Sequence, residues 1–165
     1  MPYLLDTNVF IQGSKLHYGL DFCPAFWDWL VHENAAGKVF SIEKVADELE
    51  SGGDDLSEWA KNRGAKLFLK PDPALRASFG AVSAWAAGQK FDPAAVNTFL
   101  QVADYYLVSH AHARGYTVVT MERPEPLARK VVKIPDACLG VGVKCMTPFQ
   151  MLRREKAKFV LGKIQ

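Results

Sequence analysis

The stretch Tyr3-Leu4-Leu5-Asp6-Thr7-Asn8-Val9-Phe10-Ile11 decides how the rest of the chain is read. Tyr3-Leu4-Leu5 is short and apolar, the pattern of a buried strand. Asp6-Thr7-Asn8 interrupts it and apolar residues then resume. Asn8 or Thr7 suits the N-cap of a short helix over residues 9–13. Asp6 then stands at the carboxyl end of the first strand. In an open parallel sheet that edge is where ligands bind, so the question becomes which other residues reach it.

Working outward, strand patterns alternate with helical ones. Pro24 opens a helix over 25–36, in which Phe26, Trp27, Leu30 and Val31 recur at helical spacing. Residues 38–41 read as a strand, and Ser41 as the cap of a helix over 42–50. A helix from Asp54 or Asp55 runs to Asn62, and residues 66–69 read as a strand. Helices follow over 73–87, 93–100 and up to Arg114, where Gly115 stops the chain. Tyr116 to Thr120 is the clearest strand, rich in β-branched residues. Arg129 to Ile134 is a further strand candidate, as is Val143 to Met146. Thr147 caps a last helix running from Pro148 to about Phe159. The alternation predicts one α/β domain over residues 1–165, a three-layer α/β/α sandwich around a mostly parallel sheet.

A chain of 165 residues can build a full core without a disulfide or metal staple. The net charge of +2 is uninformative, but its distribution is not. Residues 1–110 carry nine Lys and Arg against fourteen Asp and Glu; residues 111–165 carry eleven against four. An acidic front and a basic tail suit carboxylates that bind metal beside a surface that contacts phosphate. Uneven sampling of solvated charges gives the same counts. Cys23, Cys138 and Cys145 have neither disulfide-framework nor zinc spacing. With no signal peptide or membrane span visible, a reducing cytoplasm is the expected location.

Four acids hold positions of interest: Asp6, Glu48 in the helix from Ile42, Asp104 before an apolar run, and Glu122 after the clearest strand. Each alone reads as a cap or a solvated charge. Asp104 has apolar neighbours, and a buried acid is costly unless something positive faces it. A hard cation held by oxygen ligands, Mg2+ or Mn2+, suits a site without His or Cys.

Four segments carry a resemblance in order along the chain. They are Leu4-Leu5-Asp6-Thr7-Asn8, Val45-Ala46-Asp47-Glu48-Leu49, Ala103-Asp104-Tyr105-Tyr106-Leu107-Val108-Ser109-His110-Ala111 and Val118-Val119-Thr120-Met121-Glu122. The set resembles the PIN domain, the ribonuclease fold of VapC-type toxins and many RNA-processing nucleases. Within it, residues 55–59, 133–138 and 148–153 resemble a bacterial and archaeal PIN-like branch. The resemblance implies Asp6, Glu48, Asp104 and Glu122 as catalytic carboxylates and ligands of one or two Mg2+ or Mn2+ ions. Asp47 rivals Glu48, and Asp136 stands as a fifth acid whose role the resemblance leaves open. Glu122 replaces a more usual Asp and reaches further.

The resemblance implies a metal-dependent endoribonuclease, the toxin of a type II toxin–antitoxin pair. RNA is its expected substrate, a protein antitoxin its partner, and a homodimer its assembly. The alternatives are an inactive PIN-like RNA-binding or regulatory module and a structure-specific DNA nuclease. Two metal ions roughly 4 Å apart can activate a water and neutralise the leaving oxygen. Thr7, Asn8 and Thr120 are placed to orient water or phosphate. His110 and His112 are two apart and read as solvated or core residues. Trp27, Trp29, Trp59 and Trp85 can stack on bases, although helical spacing favours core packing for most. Arg153, Arg154, Lys156, Lys158 and Lys163 can follow an RNA backbone or form a solvated face.

Overall fold

The decisive strand β1 (Tyr3–Leu5) occupies the centre of the sheet in the computed structural model, which describes residues 1–162. Five parallel strands run in the order β3-β2-β1-β4-β5. The others are β2 (Val39–Ile42), β3 (Phe68–Leu69), β4 (Thr117–Val119) and β5 (Cys145–Met146). All three residues of β1 and all three of β4 are buried. Helices cover the sheet on both faces, and strands buried in this way read as continuous apolar runs rather than alternating ones. The molecule is the three-layer α/β/α sandwich that the alternation of patterns predicts.

Between β1 and β2 lie α1 (Thr7–Gln12), a π turn over Gly13–His17 and α2 (Pro24–Ala35). α3 (Glu43–Glu50) and α4 (Asp55–Lys61) join β2 to β3. The long return to β4 contains α5 (Arg76–Gly88), α6 (Pro93–Gln101) and α7 (Ala103–Arg114). α8 (Ile134–Val141) connects β4 to β5, and α9 (Pro148–Arg154) follows β5. Trp27 packs edge-on to Trp59, and Phe10 lies against both rings. Among the described residues no helix is long and apolar enough to cross a membrane.

Three local expectations are overturned. Residues 129–134 form no strand. Val132 and Ile134 are buried and Val131 is exposed, so the period of two is real. It finds no place beside β4, whose side away from β1 is taken by β5, and its Ile134 N–H is spent on the Glu122 carboxylate. Ser41 does not cap α3: Ile42 holds the cap position, and Ser41 Oγ donates to Leu5 O at 2.6 Å, tying β2 to β1. The last helix stops at Arg154, and Lys156 adopts a left-handed φ of 55° that no continuing helix contains.

The topology sets where a site can lie. From β1 the chain moves to β2 and β3 on one side, then returns to β4 and β5 on the other. The switch point is therefore the crevice outside the carboxyl ends of β1 and β4, the place where open α/β sheets bind ligands.

Candidate active site

Asp6 leaves β1 directly at that crevice. Its N–H donates to Val119 O at 2.9 Å, so the residue is still held to β4. Extended backbone at Asp6 (φ −74°, ψ 157°) turns its side chain over the first turn of α1. Oδ1 accepts the Thr7 N–H at 2.7 Å, which makes Asp6 itself the cap expected at Thr7 or Asn8. Oδ2 accepts the Thr120 hydroxyl at 2.8 Å. Asn8 Oδ1 accepts the Met121 N–H at 3.0 Å, and Asn8 Nδ2 donates to Thr120 Oγ1 at 3.4 Å. Asp6, Asn8 and Thr120 thus clamp the ends of β1 and β4 together, and Thr7 links the clamp to α3.

That link is Glu48, an exposed residue of α3, whose Oε2 accepts the Thr7 hydroxyl at 2.5 Å. Its rival Asp47 makes no such bond. Asp104 is the second residue of α7, partly buried at the amino end of that helix. Glu122 Oε2 accepts the Ile134 N–H at 2.7 Å, at the start of α8. The Glu122 N–H in turn donates to Thr120 Oγ1 at 3.1 Å. Glu122 therefore spends one oxygen pinning the loop 122–133, in the region where a strand was expected.

The carboxylates perturb one another. Asp6, only 3 % exposed, is pushed up to about 8 by burial and then by the charges of Asp104 and Glu122. Its bonds from Thr120 and Thr7 oppose that rise. Asp104 is pushed up to about 7 by burial and then by Glu122 and Glu48, with Lys133 opposing. None of the four acids forms an ion pair with Lys, Arg or His among the described residues. Asp136 stands apart: its Oδ2 accepts the Glu125 N–H at 2.8 Å, and it is not among the charges that raise Asp6 or Asp104. Lys133, unremarked as a site residue in the sequence, is the cation whose charge reaches Asp104. Its signal was there, two residues before Pro135 at the opening of a helix.

The donor chemistry fits a hard divalent cation. It is all oxygen, it is negative, and no protein cation neutralises it. Among the described residues, however, no group of three or more His, Cys, Asp or Glu is already arranged to hold an ion.

The other candidates divide by position. His110 is buried and held down at about 4, by burial and then by Arg114; His112 Nδ1 and Ser78 Oγ share a hydrogen bond at 2.8 Å. Tyr3 Oη donates to Glu155 at 2.6 Å, and Lys38 lies 3.4 Å from the same carboxylate. Tyr3 begins β1 and Lys38 precedes β2, so the chain after α9 returns to the amino edge of the sheet. Arg153, Arg154, Lys156 and Lys158 are exposed on that side, opposite Asp6. Lys163 lies outside the described residues. Nearer the acids, in the loop after β4, are Lys133, whose charge reaches Asp104, Lys130, which lines a cavity with Asp104, and Arg123, next to Glu122 in the chain.

A family model described as Domain of unknown function (DUF4411) matches residues 3–159, and the chain belongs to that family. No curated protein and no solved structure matches it.

Proposed function

We propose that this DUF4411 chain is a divalent-metal-dependent endoribonuclease, with Asp6, Glu48, Asp104 and Glu122 as its catalytic carboxylates. One observation carries the reading. At the switch point Asp6 is hydrogen-bonded to Thr7 and Thr120, Glu48 to Thr7 and Glu122 to Thr120, the charges of Glu122 and Glu48 reach Asp104, and no basic side chain is paired with these acids among the described residues. The order of the PIN-like segments in the sequence supports the same assignment. Mg2+ or Mn2+ is the class of ion whose preferred ligands these are. A bound ion of this kind neutralises phosphodiester charge and acidifies water. Thr120 and the Thr7 amide fix both oxygens of Asp6, so that its remaining lone pairs keep one direction. Thr7 does the same for Glu48, and the Ile134 amide for Glu122. Lys133 offsets the charge of an approaching phosphate.

The resemblance suggests the toxin of a type II toxin–antitoxin pair, with an antitoxin as partner, a homodimer as assembly and the cytoplasm as location. The second reading is a PIN-like module that binds RNA without cutting it, since the acids form no ready ion cage among the described residues. Titrating Mn2+ or Mg2+ into the full chain with labelled single-stranded RNA, and with matched DNA, separates the readings. RNA cleavage that requires metal, stops in EDTA and is lost in Asp6→Asn supports the nuclease. Intact RNA at every metal concentration supports the module, and cleavage of DNA alone supports a DNA nuclease. Full activity in Asp6→Asn would remove Asp6 from the site.

A further inference from the structure

Two cavities meet at Asp136 and Leu139. One, of about 450 Å3, begins at Thr120 and Glu122 and passes Pro124 and Met146. The other, of about 600 Å3, is walled by Trp85, Lys90, Phe91, Leu127 and Arg129. Together they form a trough leading from the candidate active site across α8 to the end of α5.

We propose that this trough is a single-stranded RNA track in which Trp85, steadied edge-on by Phe91, stacks one nucleobase and Lys90 and Arg129 take its phosphate. The inference rests on the ribonuclease reading, whose substrate path it names. Trp85 and Phe91 meet edge-on, 5.8 Å apart at 67°, and both rings are half-buried. A half-buried aromatic face offers a stacking surface that any base can use.

The position of Trp85 is built into the fold. A Cβ on Gly140 would collide with Trp85 Nε1, so a glycine inside α8 lets the indole lie against that helix. Glycine inside a helix is destabilising relative to alanine, and seating the indole is what that residue does here. The Asp92 N–H donates to Arg129 O at 2.8 Å, which fixes the loop over the start of α6 and sets Arg129 at the rim. Lys90 and Arg129 are exposed and form no ion pair among the described residues. Glu125 and Asp136 also line the larger cavity, toward the join. Carboxylates there repel phosphate and accept from base amino groups, so the backbone runs along the Lys90–Arg129 side with the base turned inward.

The test uses the full chain as Asp6→Asn in EDTA, so that binding is read without cleavage. Short fluorescent oligoribonucleotides are titrated and anisotropy is recorded. Trp85→Ala is expected to weaken binding by about tenfold, the low end of what one stacked base contributes. Trp85→Phe is expected to restore most of it, and the RNA-induced quenching of tryptophan fluorescence is expected to drop in that variant, which a merely structural role would not predict. Lys90→Ala with Arg129→Ala is expected to flatten the salt dependence. Absence of RNA binding, or equal affinity in Trp85→Ala, would overturn the track and leave the exposed Leu127 and Leu139 as the rim of a protein-docking face. If metal-dependent cleavage occurs but Trp85 proves irrelevant to binding, the track falls and the nuclease stands. If binding depends on Trp85 but no cleavage is found with the unsubstituted chain, the nuclease falls and the track stands.

Discussion

Burial raises the pKa of both Asp6 and Asp104, helped by the charges of Asp104 and Glu122 on the first and of Glu122 and Glu48 on the second, and that has a measurable sign. Their folded pKa values, about 8 and about 7, lie above the ordinary carboxylate value near 4. The folded state therefore holds more protons than the unfolded state between those values, and stability falls as pH rises through that window. His110 acts oppositely: held at about 4, it is neutral in the fold and costs stability as pH drops below about 6.5. Of these three groups only the acids still titrate from pH 6.5 to 8.5. Denaturant unfolding in EDTA should lose on the order of 2 kcal/mol over that range, and excess Mn2+ should recover much of it at the upper end. A flat profile would mean the two acids are not buried together. Asp104→Asn isolates one of them. At pH 8 in EDTA it should stabilise the metal-free protein by about 1–2 kcal/mol while removing cleavage. Losing a carboxylate from the amino end of α7 costs only about 0.3–1 kcal/mol, so relief of repulsion wins. The individual acids were legible in the sequence because each sits in a recognisable segment. Asp6 as the helix cap was not, because any of three successive polar residues satisfies the capping pattern.

The site depends on one tie between elements, the hydroxyl of Thr120. It donates to Asp6 at the end of β1 and accepts the N–H of Glu122 in the loop after β4. Thr120→Val keeps the shape and removes these two bonds together with the weaker one from Asn8 Nδ2. It leaves Asp6 Oδ2 without its donor inside a buried site, at a cost on the order of 2 kcal/mol. Denaturant unfolding should show that loss, and RNA cleavage should fall sharply, with Thr120→Ser recovering both. Equal activity in the valine variant would show that β1 and β4 need no such clamp. At this scale the sequence misled most clearly over residues 129–134. Val131, Val132 and Ile134 carry a strand-like period, but a strand exists only where a neighbour offers a ladder. The Ile134 N–H goes instead to Glu122. Trp85 is the complementary case. Its helical spacing pointed to the core, and only the packing of α5 against the glycine in α8 brings its ring to a cavity wall.

Over the whole molecule, the acidic front and basic tail do not form adjacent halves of one surface. The chain after α9 is anchored by Tyr3 and Lys38 at the amino edge of the sheet, while the acids lie at the carboxyl edge. Alanine at Arg153, Arg154, Lys156 and Lys158 together should leave RNA affinity nearly unchanged. Alanine at Arg123 and Lys130, in the loop beside Glu122, should weaken binding. It should also lower the salt slope by ~0.7 for each phosphate that is no longer neutralised. Affinity measured against salt concentration checks both, and a large effect from the tail would place the RNA elsewhere. The sequence alone determined the α/β class and a mostly parallel sheet, and it marked four acids as candidates. Short apolar runs, helix stops and turn residues are local signals, written within a few neighbouring positions. The strand order was decided only in the tertiary structure, and with it the switch point, the mutual repulsion of the acids and the separation of the basic tail from them. These depend on which edges pair and which faces pack, and pairing joins residues more than a hundred positions apart, as Asp6 to Thr120.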